Sequence, residues 1–225
     1  MAVVTISRQF GSGGDEIAAL VCEALGYHYF DKNLMIRIAT EASLSPTEVV
    51  DFSEDNYKTL TFLDRLFSWT GPRTVAHVGS WGEANSGART KIARDLDEAQ
   101  TIAFVQSTIL AAYKKGNMVI IGRGSQVVLK GKPDVLHVRI EAPLDTRNIR
   151  ISQQFNASLG GAQDIAIEHD RTAADYLKRF YNIDWADSAH YDVVINTGKL
   201  DFKTATDLII TSVKALTPTV QVNSN

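Results

Sequence analysis

Val3-Val4-Thr5-Ile6-Ser7-Arg8-Gln9-Phe10-Gly11-Ser12-Gly13-Gly14-Asp15 is the stretch on which the fold of this chain turns. Its opening, Ala2–Ile6, is a β-branched run that suits a strand buried on both faces. A glycine-rich loop, Ser7–Gly14, follows. A helix pattern then runs from Asp15 to Leu25, with Ile17, Leu20, Val21 and Ala24 on its apolar stripe and Gly26 where a C-terminal cap belongs. Strand, glycine-rich turn and helix start are the physical recipe for an anion site. Glycines let backbone N–H groups curl around the anion, and the helix N-terminus adds about half a positive charge. The same pattern also serves as a tight turn with no ligand.

Working outward, Tyr27–Phe30 reads as a second short strand, and Asp31 is placed to cap a helix through Met35 and Ile38. Ser45-Pro46-Thr47-Glu48 is a capping box that starts another helix, and Leu60–Trp69 is helical and apolar on one side. Between Thr70 and Ala93 the pattern weakens into a glycine-broken excursion. Helical periodicity resumes at Leu96 and runs to Tyr113, with Lys114 and Lys115 complementing the helix dipole. Met118–Ile121, Val135–Ile140 and Val193–Asn196 read as further strands. A helix carries Arg147 and Arg150, a breaker spans Asn156–Gly161, a polar helix runs from about Ala162 to Arg179, and Phe202–Ala215 is a closing helix. Residues 217–225 read as a frayed tail. Buried strands alternating with helices imply an α/β plan, a parallel sheet with helices on both faces. Ligands in such sheets sit at the carboxyl ends of the strands. The chemistry is therefore expected at Ser7–Gly14 and Gly122–Gly124.

Composition narrows the function classes. The 225 residues are 44% apolar, and 23 basic against 26 acidic residues leave a formal charge of -3, which argues against a globally basic nucleic-acid binder. A lone cysteine, Cys22, excludes an intramolecular disulfide framework and a cysteine-rich zinc site. His28, His77, His137, His169 and His190 show no metal-ligand spacing. No apolar run approaches the ~18 residues that span a bilayer. The expectation is a cytoplasmic globular protein of one domain over 1–216, with neither nucleic acid nor membrane as partner.

Several motifs, in order, carry a resemblance. Arg8–Asp15 aligns on the P-loop pattern GxxxxGK[ST], with its second invariant glycine at Gly13. Phe30-Asp31-Lys32-Asn33-Leu34-Met35-Ile36-Arg37 looks like the LDTGxxYR segment of cytidylate kinases. Val119–Arg123 resembles their strand ending in Gly-Arg, and Ala142–Arg150 resembles the ASPExRxxR helix that enters their lid. His169-Asp170-Arg171, Trp185 and Tyr191-Asp192 look like the lid exit and last strand. The chain thus resembles the cytidylate-kinase-like family of P-loop nucleoside monophosphate kinases over almost its whole length.

The resemblance implies a three-layer P-loop NTPase-type fold, with an acceptor-side region at about 31–96 and a lid at about 147–180. It implies ATP as phosphate donor, Mg2+ as cofactor and a small nucleotide such as CMP as acceptor. Carried over by position, Gly11, Ser12, Gly13 and Gly14 would cradle the ATP phosphates. Asp31, Arg37 and Arg123 would hold the acceptor, where an arginine fork matches phosphate oxygens. Arg147, Arg150 and Arg171 would close over the transferring group, where catalysis is positioning and charge stabilisation. Arg147 and Arg150 can equally be a solvated helix face.

The pattern also breaks. Gly14 stands in the place of the P-loop lysine, Asp15 in that of the metal-binding Ser or Thr, and Arg8 in that of the first glycine. Ile121 replaces the acidic residue before Gly-Arg. A unit-charge contact at ~4 Å is worth about 4 kcal/mol at an effective dielectric near 20, before desolvation. Two repairs are expected: Arg8, taken as a loop residue, swings into the vacated place as the catalytic cation, and Asp15 binds Mg2+ directly. Alternatively Arg8 simply pairs with Asp15 or Glu16, on a protein that binds nucleotide without turnover or acts on another small acceptor.

Overall fold

The computed structural model describes residues 2–30 and 98–216. Five strands form one sheet: β1 (Val3–Arg8), β2 (His28–Phe30), β3 (Met118–Ile121), β4 (Val135–Glu141) and β5 (Val193–Asn196). Their order is β2-β3-β1-β4-β5, and every pairing is parallel. The helices are α1 (Gly14–Leu25), α2 (Glu98–Lys115), α3 (Ser125–Val128), α4 (Leu144–Phe155), α5 (Leu159–Tyr181) and α6 (Phe202–Ala215), with a 3-10 turn at Ser188–His190. Asp31, Arg37, the helices expected near Met35, Ser45 and Leu60, the Thr70–Ala93 excursion and the 217–225 tail lie outside the described residues.

Alternation along β1 explains the three layers. Val3 joins a cluster with Val105, Ile109 and Ala112 of α2 and with Tyr176 and Leu177 of α5. Val4 and Ile6 face the other way, onto Ile17, Ala18 and Val21 of α1 and Ala205, Ile209 and Val213 of α6. A central parallel strand must be apolar on both faces, as the Ala2–Ile6 run is. Each such Val or Ile, fully buried, contributes about 1.5–3 kcal/mol of transfer free energy. The expected α/β plan, a three-layer P-loop NTPase-type fold, is the one observed. Gly26 caps α1 in the left-handed conformation (φ 65°), and its N–H donates to the Cys22 carbonyl. The Cys22 thiol is pushed up to about 12 by burial, as befits a packing residue.

Two expectations need correction, and one element goes beyond them. Arg8 is the last residue of β1, in register with Ile140, and not a loop residue. The breaker at Asn156–Gly161 is shorter than its glycines suggest. Asn156 ends α4 with φ 51°, but Ser158 already caps α5, accepting the Gly161 N–H at 3.1 Å, so Gly160 and Gly161 lie within its first turn. The single turn of α3 carries too few residues to show a period and was not anticipated.

Toward its carboxyl edge the α2-facing side of the sheet becomes polar. Thr5 Oγ1 and His137 Nδ1 lie 2.7 Å apart, and the His137 N–H donates to Asp192. His137 Nε2 is buried without a hydrogen bond, and desolvation holds the imidazole pKa below its ordinary value against the opposing pull of Asp192. The unfolded chain therefore binds more protons than the native one as pH falls below about 6.5, so stability drops there. Thermal melts between pH 7.5 and 5.5 are expected to show a shallower loss of Tm in His137→Gln than in the wild type. Equal slopes would remove His137 as the cause.

Candidate functional site

All five strands point their carboxyl ends to one edge, where the Gln9–Gly13 loop joins β1 to α1. The loop owes its path to glycine. Gly11 (φ 75°) and Gly13 (φ 85°) occupy the left-handed region, and Gly13 is the N-cap of α1. Close approach matters as much as the dihedral. A Cβ on Gly11 would stand 2.8 Å from the Ile151 side chain, and one on Gly13 would overlap the Phe202 ring. Ser12 is wholly buried, and its Oγ has no hydrogen-bond partner among the described residues. The Gly11 and Gly13 N–H groups have no acceptor among the described residues.

A Cβ on Gly14 would meet the Cβ and Cγ of Arg8. The Arg8 stem therefore lies across the position where a P-loop lysine would leave the chain. Its Nε and Nη2 reach Asp15 Oδ1, each at 3.2 Å, and its Nη1 is 3.2 Å from where a Cβ on Gly122 would sit. Tyr29 Oη approaches the same Asp15 oxygen at 3.5 Å, and burial followed by the Asp15 charge raises the phenol pKa. Arg8 thus pairs with Asp15, as one alternative expected, while its stem packs on Gly14.

Gly122, Arg123 and Gly124 are successive left-handed residues (φ 64°, 62° and 71°). For arginine that conformation costs about 1–2 kcal/mol relative to the right-handed one. Arg123 is buried, its guanidinium 5.3 Å from the Phe30 ring centroid. Gly124 cannot carry a side chain because the Tyr181 ring lies against it. Asn would tolerate such a backbone better than Arg.

The arginines of α4 and α5 divide sharply. Arg147 is 6% exposed and already engaged: Nε donates to the Ala142 carbonyl, and Nη1 donates to the Phe10 carbonyl and to Asp170 Oδ2 at 2.7 Å. Arg150 Nη1 donates to the Ser12 carbonyl at 3.1 Å and to Thr197 Oγ1 at 3.0 Å, lies 3.4 Å from the Gly11 carbonyl, and stacks over Phe202. Arg171 stands on the far side of its helix, 72% exposed, 3.7 Å from Asp175. The structure therefore gathers Arg8, Arg147, Arg150 and Asp15 around the loop, sets the Arg123 guanidinium over Phe30, and leaves Arg171 exposed.

Asp170 was missed by sequence reading. One oxygen accepts the Phe10 N–H at 2.9 Å and the other accepts Arg147, while burial pushes its pKa upward against those bonds. The ring of neighbouring His169 stacks on Phe10 at 4.1 Å. The only signal was the His169-Asp170 pair itself, and its partner lies 160 residues away. No cluster of three metal-binding side chains occurs among the described residues. No described helix is long and apolar enough to cross a membrane.

Residues 3–199 match the profile of the cytidylate kinase-like family. The chain belongs to that family. The cytidylate kinase of Methanobrevibacter smithii is 25% identical over 216 residues, covering 95% of this chain and 99% of the relative. That of Natronomonas pharaonis is 24% identical, covering 96% and 91%. The Methanocaldococcus jannaschii cytidylate kinase reaches 35%, but over 106 residues, 46% of this chain and 59% of its own. Among solved structures, an uncharacterised protein from Eubacterium ventriosum superposes with a TM-score of 0.63 at 20% identity, over 96% of this chain and 99% of that one, a likeness of fold.

Gly13→Ala should destabilise the chain by more than the ~1–2 kcal/mol of a left-handed backbone alone, because Phe202 must also move. Gly26→Ala, with a similar φ but nothing within 4 Å, should cost the backbone share alone. Urea titrations of the two variants give the difference. Equal losses would show that Phe202 yields without strain.

Proposed function

We propose that the protein transfers the γ-phosphoryl group of ATP to a nucleoside monophosphate such as CMP. The observation that carries the reading is the placement of Arg8. Its side chain lies across Gly14 and reaches Gly122, so the cation lost with the P-loop lysine is supplied from the end of β1. In phosphoryl transfer the protein's task is to position the reactants and offset charge on the transferring oxygens. The Gly11 and Gly13 amides, the start of α1 and the Ser12 hydroxyl would receive the donor phosphates. Arg8 would stand over them, and Arg123 would face the acceptor phosphate with Asp31 and Arg37. Arg171, exposed on α5, would approach the transferring group.

The chemistry of Asp15 suits Mg2+, a hard cation commonly held by one or two carboxylates plus substrate phosphates. Arg8 and Tyr29 use one carboxylate oxygen, and the other, Oδ2, carries no hydrogen bond among the described residues. Bound there, the ion would offset phosphate charge. Arg8 fixes the orientation of the Asp15 carboxylate.

A second reading, a nucleotide-binding protein without turnover, is favoured by one observation. Asp15 places a negative charge beside the loop and half-neutralises Arg8. The two readings separate in ADP release measured over a panel of nucleoside monophosphates, with thermal shifts recorded in parallel. Turnover with one or more monophosphates is expected. Arg8→Ala should lower kcat/KM for ATP by about a hundredfold, on the order of 2.7 kcal/mol. ATP at a hundred times its Kd should stabilise the wild type by about 2.7 kcal/mol. A thermal shift with no ADP release would select the second reading. An unaltered Arg8→Ala would remove Arg8 from the site.

A further inference from the structure

The carbonyl groups of Phe10, Gly11 and Ser12 are all approached by side chains from one side of the loop. Arg147 Nη1 donates to Phe10 O at 3.1 Å, and Arg150 Nη1 lies 3.4 Å from Gly11 O and 3.1 Å from Ser12 O. Thr197 Oγ1 donates to Ser12 O at 2.6 Å while accepting from Arg150, whose Nη2 also donates to the Thr197 carbonyl at 2.8 Å. No described peptide bond is cis. In a planar trans peptide the N–H points opposite to the C=O. Pulling Phe10 O and Ser12 O toward α4 and the end of β5 therefore turns the Gly11 and Gly13 N–H groups to the other face. These are the two loop amides with no acceptor among the described residues. The intervening Ser12 N–H is used internally, donating to Gln9 O at 3.2 Å.

We propose that Arg150 and Thr197, with Arg147, are positioning residues: they hold the loop carbonyls outward so that the Gly11 and Gly13 amides are pre-aimed at an anion. They act through the loop backbone and not by touching the phosphate. The inference rests on reading the loop as the donor-phosphate site, and it reassigns the α4 arginines from lid to scaffold. Chemistry favours the assignment. An arginine fork can reach two carbonyls and a hydroxyl at once, whereas lysine offers a point charge. Donors already committed to four oxygens cannot move onto a ligand without orphaning those oxygens in a partly buried setting. Glycines at 11 and 13 have no side chain to restrict their own peptides, so the restriction has to come from neighbouring elements.

The test uses the full chain carrying Thr197→Val, Thr197→Ser or Arg150→Lys. Hydrogen–deuterium exchange of peptides covering residues 9–14 is measured without ligand, alongside KM values for ATP and CMP and Kd values for ATP and adenosine. Thr197→Val should speed exchange in 9–14 and weaken ATP about tenfold, with adenosine binding and the KM for CMP within twofold. Thr197→Ser should restore both. Arg150→Lys should fail to restore them although it keeps the charge, whereas a direct phosphate contact would survive that change in large part. Unchanged exchange in both Thr197→Val and Arg150→Lys would overturn the proposal. So would exchange that rises equally throughout β4 and α6, or faster loop exchange with unaltered ATP affinity. If the wild type binds neither ATP nor inorganic pyrophosphate, the donor-site reading fails and the inference resting on it fails with it. In that case the exchange data still show whether Thr197 and Arg150 hold the loop.

Discussion

Burying the Arg147 guanidinium is the constraint that organises this edge of the molecule. A charge removed from water must be matched by acceptors, and breaking a buried pair by removing one partner typically costs about 3–5 kcal/mol. Three groups answer it here: the Ala142 carbonyl at the end of β4, the Phe10 carbonyl in the glycine loop and Asp170 on α5. They come from parts of the chain that share no local sequence. Satisfying one arginine thus fixes where β4 ends, where the loop passes and how α5 lies across both. Asp170 completes the arrangement by taking the Phe10 N–H, so both polar groups of one loop residue are held from the same cluster. The stacked His169 ring then leaves Phe10 little freedom.

A second buried arginine repeats the logic one strand pair away. Arg139 on β4 donates to Glu141 and to the Trp185 carbonyl, with its guanidinium 4.4 Å from the Trp185 ring and 5.4 Å from that of Tyr191. Trp185 Nε1 donates to Ser7 Oγ, at the end of β1. The segment after α5 is thereby tied to the strand that carries the loop. Between them, Arg147 ties the middle of α5 to the loop, and Arg139 ties the segment after α5 to β4. The loop needs no lysine to keep its shape, because its shape is imposed from outside.

How much of this was legible in the sequence depends on how local each cause is. The β1–loop–α1 unit could be read directly, since a β-branched run, left-handed glycines and an apolar stripe are properties of neighbouring residues. The strands at Met118, Val135 and Val193 were legible for the same reason. Breaker chemistry misled at Gly160 and Gly161. A helix N-cap at Ser158 and burial of Ala162 and Ala166 outweigh the helix penalty of two glycines, roughly 1 kcal/mol each. At the site, residue types were legible and partners were not. Arg147 and Arg150 could be placed on one helix, but only tertiary structure shows that both point at backbone carbonyls of residues more than 130 positions away. Thr197 carries no motif, and Asp170 stands in one only as a lid-exit residue, with nothing local to mark Phe10 as its partner.

Division of labour among the arginines follows from their surroundings. Arg147 and Arg150 are spent on carbonyls, and burial even lowers the pKa of Arg150 from its usual value. Arg8 reaches Gly122, the residue before Arg123, where a left-handed turn brings backbone against guanidinium without an intervening side chain. Arg171 pairs with Asp175 in an exposed i,i+4 contact, an interaction that contributes little and is readily exchanged for a better acceptor. Asp170 and Arg171 are adjacent, yet about 100° of helix rotation separates their directions, so one locks the loop while the other faces water. A phosphorylated ligand arriving at this edge would therefore find a backbone already set and two kinds of cation. On the proposed reading, Arg8 and Arg123 would be preorganised in the wall, and among the described site arginines Arg171 could redirect without undoing the scaffold. Preorganised charge stabilises a transition state with little reorganisation at the moment of reaction. Building the loop's rigidity from arginines other than those proposed to meet the phosphate would give that advantage.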